Sequence, residues 1–61
     1  MTERELIDEA FGATIKKLYS VFYEAYTTAV TPAAQQQAEQ VFRNGVLLAR
    51  SVRDRALALL P

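Results

Sequence analysis

Along most of the chain, apolar residues return every third or fourth position. Ile7, Phe11, Ile15, Leu18, Phe22, Ala25 and Ala29 follow this spacing in the first half, which places them on one stripe of a 3.6-residue helix. A second stripe runs through Ala34, Ala38, Val41, Gly45, Leu48, Val52, Ala56 and Leu59, flanked by Phe42, Ala49 and Leu60. Start signals stand where the stripes begin. Thr2 and Glu5 have capping-box spacing, with Met1 and Leu6 at the positions of a hydrophobic staple. Thr31-Pro32 reads as an N-cap followed by proline at the first helical position. Because proline drives the residue before it out of the α region, the first helix must stop by about Thr31. The pattern therefore predicts helices over about 3–29 and 32–59. Their connection is only a few residues long, so they must fold back as an antiparallel hairpin.

The two stripes differ in size. Phe11, Ile15, Leu18 and Phe22 are large, whereas Ala34, Ala38, Gly45, Ala49 and Ala56 are small, and such faces interdigitate. Gly45 costs about 1 kcal/mol relative to alanine inside a helix, which points to a close approach of the partner helix there. The apolar arc of the first helix also extends past this stripe, through Val21 on one flank and Tyr19, Tyr23, Tyr26 and Val30 on the other. It spans roughly 200°, about twice what a surface helix needs. That excess predicts an all-α hairpin that dimerises into a four-helix bundle, with a heterologous protein supplying the missing helices as the alternative. The expected interface is Phe11, Ile15, Leu18, Tyr19, Val21, Phe22, Tyr23 and Tyr26 with Val41, Gly45, Leu48 and Val52. Leu47, on an otherwise polar side with Val46, Leu57 and Ala58 nearby, marks a candidate secondary contact.

Composition narrows the chemistry. The chain has 61 residues and contains neither cysteine nor histidine, so it forms one domain without disulfide, thiolate zinc site or imidazole base. Ser20 and Ser51 lack a partner for nucleophilic catalysis. Carboxylate di-metal sites in bundles pair glutamates with Glu-x-x-His motifs, and none is present. No cofactor and no enzymatic activity are expected. The start, Met-Thr-Glu-Arg-Glu, is unlike a secretory signal, and no apolar run approaches the roughly 18 residues of a membrane span. A soluble, cytoplasmic protein is the expectation.

Seven basic and seven acidic residues cancel, but they are unevenly placed. Residues 1–30 carry five acids and three bases, and residues 31–61 carry two acids and four bases. Glu3, Glu5, Asp8 and Glu9 suit the dipole at the start of the first helix, and Arg50, Arg53 and Arg55 suit the end of the second. In an antiparallel hairpin the two clusters share one end. This structural explanation outweighs a phosphate-binding one, since nucleic-acid domains normally carry a basic excess. Arg43 has Glu39 as an i,i+4 partner and Arg50 has Asp54. The tyrosine line, preceded by Lys16, reads as the edge of an interface ahead of a base-stacking platform.

In length and hairpin architecture the chain resembles Rop-type plasmid RNA regulators and the small hairpin chaperones of type III secretion needles. The likeness is architectural and assigns no residue a role. It implies two alternatives to a protein-interaction module. One is an RNA- or DNA-binding regulator using Lys17, Arg43 and Arg50; the other is a small chaperone or accessory subunit of a larger complex.

Overall fold

Thr2 is extended, and its hydroxyl accepts a hydrogen bond from the Glu5 amide at 3.1 Å, which satisfies one of the free donors at a helix start. The capping box expected here is only half formed. Instead of reaching the Thr2 amide, the Glu5 carboxylate takes a hydrogen bond from the Thr2 hydroxyl at 3.1 Å. Met1 and Leu6 are both exposed, so the expected staple does not close over this end. In the computed structural model, which describes residues 1–61, helix α1 runs over Glu3–Thr28. At its far end the hydroxyls of Thr27 and Thr28 donate back to the carbonyls of Tyr23 and Glu24, at 2.7 and 2.8 Å.

The chain turns without any residue of positive φ. Ala29 and Thr31 are both extended, as the clash with Pro32 requires of Thr31. Val30 between them is 94% exposed. The Thr31 hydroxyl accepts from the Ala34 amide at 3.1 Å, and Pro32 begins helix α2, Pro32–Ala58. The two helices pack against each other, and there is no strand.

The helices lie side by side in a single layer, and the Cα trace measures 48 × 18 × 6 Å. Phe11, Leu18 and Phe22 of α1 meet Arg53, Gly45 and Phe42 of α2, respectively. This places the α2 seam on Ala38, Phe42, Gly45, Ala49, Arg53 and Ala56, all buried or half-buried. Val41, Leu48, Val52 and Leu59, expected to face α1, are instead exposed. The reason is size. The small residues let α2 settle with its alanine and glycine line against the large α1 side chains, and the valines and leucines are rotated onto one flank.

Candidate interaction surface

Only Ala38, at 8% exposure, is buried, and a plate one helix thick offers two broad faces. On the first face, two adjoining grooves share Leu18. Val21, Ala25 and Val41 line the groove near the connection, while Ala10, Thr14, Leu48 and Val52 line the groove near the chain ends. Val41, Leu48 and Val52 are 57%, 66% and 60% exposed. Leu59 continues this flank, seven residues beyond Val52. The strip thus runs much of the hairpin's length with no acidic side chain in either groove.

The opposite face is built differently. Phe22, centred 5.4 Å from Tyr26 and 4.9 Å from Phe42, forms an aromatic cluster across the seam. A groove beside it is bordered by Glu39, Arg43, Val46, Leu47 and Arg50, so Leu47 is set among charges rather than in a continuous apolar surface. Half-buried Ile15 and exposed Tyr19 fall on this side by helical spacing from Phe22 and Tyr26. Tyr19 and Tyr23 contact each other, centroids 6.2 Å apart, along the outer edge of α1.

This arrangement divides the residues singled out in the sequence. Phe11, Leu18, Phe22 and Gly45 belong to the seam between the helices, and Val21, Val41, Leu48 and Val52 to the first face. Ile15, Tyr19 and Tyr26 belong to the second, with Tyr23 outside it. Val21 and the tyrosine line therefore lie on opposite sides of α1, and no single docking helix covers both. Ala10 and Thr14, outside the apolar stripe of α1, also join the first face. Their signal is spacing, at eleven and seven residues respectively before Val21 on the same helical side.

No protein family model, curated protein or solved structure matches the chain. Its surface chemistry must therefore be read from its own residues.

Arg43 and Arg50 border the groove of the second face. Lys17, three residues after Thr14 and four before Val21, lies on the rim of the first. The three cations do not converge on one surface. Neither Arg43 with Glu39 nor Arg50 with Asp54 forms an ion pair, contrary to the i,i+4 expectation. The chain's one salt bridge joins Arg53 to Asp54 at 3.0 Å, with the Arg53 Nε donating to the same oxygen. The guanidinium stands 4.4 Å over the Phe11 ring, so Arg53 spends its cation on a seam contact of the cation–π type. The acidic and basic clusters share one end of the hairpin, yet no ion pair crosses between helices. No three carboxylates gather as a metal site requires, and no helix is long and apolar enough to cross a membrane.

Proposed function

We propose that this chain is a homodimeric protein-interaction module, in which two hairpins pack face to face as a four-helix bundle and serve assembly rather than catalysis. The observation that carries the reading is the uncovered first face. A single hairpin keeps 4950 Å² of accessible surface, whereas a compact monomer of its 6.8 kDa would expose about 4,000 Å². The excess is close to the roughly 800 Å² that each partner contributes to a standard interface. The first face offers an exposed strip of valine and leucine, Val41, Leu48 and Val52, for such an interface.

Two copies brought together on this strip would give each helix a second neighbour and provide the core that a lone 61-residue chain lacks. The scattered cations support this reading over nucleic-acid binding, because phosphate recognition draws on several bases along one track.

Light scattering with mass determination at micromolar concentration tests it. The expected mass is twice 6.8 kDa, and the Leu48→Glu/Val52→Glu variant is expected to lose association. A native chain that is folded and monomeric at these concentrations would overturn the proposal.

A further inference from the structure

We propose that the second copy lies on the first face with the connections of both protomers at the same end, so that α1 of one protomer packs against α2 of its partner. The inference rests on the dimeric reading above and adds its topology. Two-fold symmetry permits two ways of joining these faces. An axis across the hairpin sets α1 on α1 and α2 on α2, with the connections at opposite ends. An axis along the hairpin sets each α1 on the partner's α2, with the connections together.

Side-chain size distinguishes them. On this face α2 offers Val41, Leu48 and Val52, all well exposed, while α1 offers mainly Ala10, Thr14 and Ala25, with Val21 and, near its start, the half-buried Ile7 as its larger side chains. Joining like to like would set the bulky helices against each other and leave a gap between the shallow ones. A packed interface tolerates neither. Joining unlike helices sets large against small twice, once in each symmetry-related half.

Register agrees with the second arrangement. An axis along the hairpin leaves every residue at its own height, so heights within one protomer can be read across to the partner. Phe11 is level with Arg53, which brings the partner's Val52 opposite the space between Ala10 and Thr14. Leu18 is level with Gly45, so the partner's Leu48 comes opposite the space between Thr14 and Leu18. Phe22 is level with Phe42, and the partner's Val41 falls between Val21 and Ala25. Each large side chain meets a gap between neighbours a turn apart, the knobs-into-holes condition. Charge points the same way. Lys17 lies near the middle of α1 on the outer rim of this face, where an α1-on-α1 contact would bring it close to its own copy. Opposite α2 it comes beside the partner's Asn44.

A cysteine-free chain makes the test direct. Val30→Cys alters an almost fully exposed connection residue and supplies a single site for a nitroxide label, so pulsed dipolar spectroscopy on the full chain reads the separation of the two connections. The expected separation is below about 30 Å, given helix layers about 10 Å apart and the reach of the labels. A separation approaching the 48 Å length of the hairpin would overturn this topology while leaving the dimer standing. Absence of dipolar coupling together with a monomeric mass would overturn the dimer, and the topology with it.

Discussion

The two glycines do opposite things. A Cβ added at Gly45 would come 2.8 Å from Leu18 Cδ2, whereas one added at Gly12 meets nothing within 4 Å. Gly12 therefore carries only the entropic cost of glycine inside a helix, and Gly12→Ala is expected to stabilise the protein by about 0.5–1 kcal/mol. Gly45 makes room for the Leu18 side chain. Gly45→Leu is expected to destabilise by about 1–3 kcal/mol through overpacking, and adding Leu18→Ala should restore part of the loss by exchanging the large and small partners. Urea titration of the two single variants and the double variant, at one protein concentration, checks both statements. Equal effects at the two glycines would show that the close approach has no energetic weight. Arg53 gives the complementary case, a charged residue used for packing. Its guanidinium covers the Phe11 ring, as long basic side chains do over apolar surface.

At the scale of the helix, the ends were legible and the orientation was only partly so. Threonine caps and a proline are local signals that act through the backbone of three or four residues. Accordingly, α1 and α2 stop within one residue of where the pattern predicts. The α2 cap depends on one hydroxyl, since Thr31 has no glutamate three residues on to complete a box. Thr31→Ala is expected to cost about 1 kcal/mol while Thr31→Ser retains most of it, as followed by thermal melting with circular dichroism. Rotation about the α2 axis was harder to read, because a stripe weighted by hydrophobicity is drawn toward Val41, Leu48, Val52 and Leu59. The seam is set by what fits against Phe11, Leu18 and Phe22, and the answer was alanine, glycine and an arginine. Arg53 in particular reads as surface in any sequence pattern. The candidate surface shifted with it, since the exposed large residues of the first face gather mainly on α2, and the tyrosines of α1 face away from them. That division depends on how the helices are rotated, which no run of residues on one helix encodes.

For the whole molecule, shape decides more than any single contact. With a Cα trace only 6 Å through its thinnest direction, the hairpin has no inside: every peptide group lies within one side chain of water. Slow amide hydrogen exchange requires regions that open only when the whole structure does, and one layer of helix cannot provide them. Protection in α1 and α2 is therefore expected to depend on association, rising with protein concentration in native-state exchange followed by mass spectrometry. Residues beneath the first face, such as Leu18 and Ala49, would slow most. Protection that is strong and unchanged over a hundredfold dilution through the dissociation range would contradict this. The most persistent structure in such a protein would belong to the pair, and the single chain would be a surface waiting for its other side.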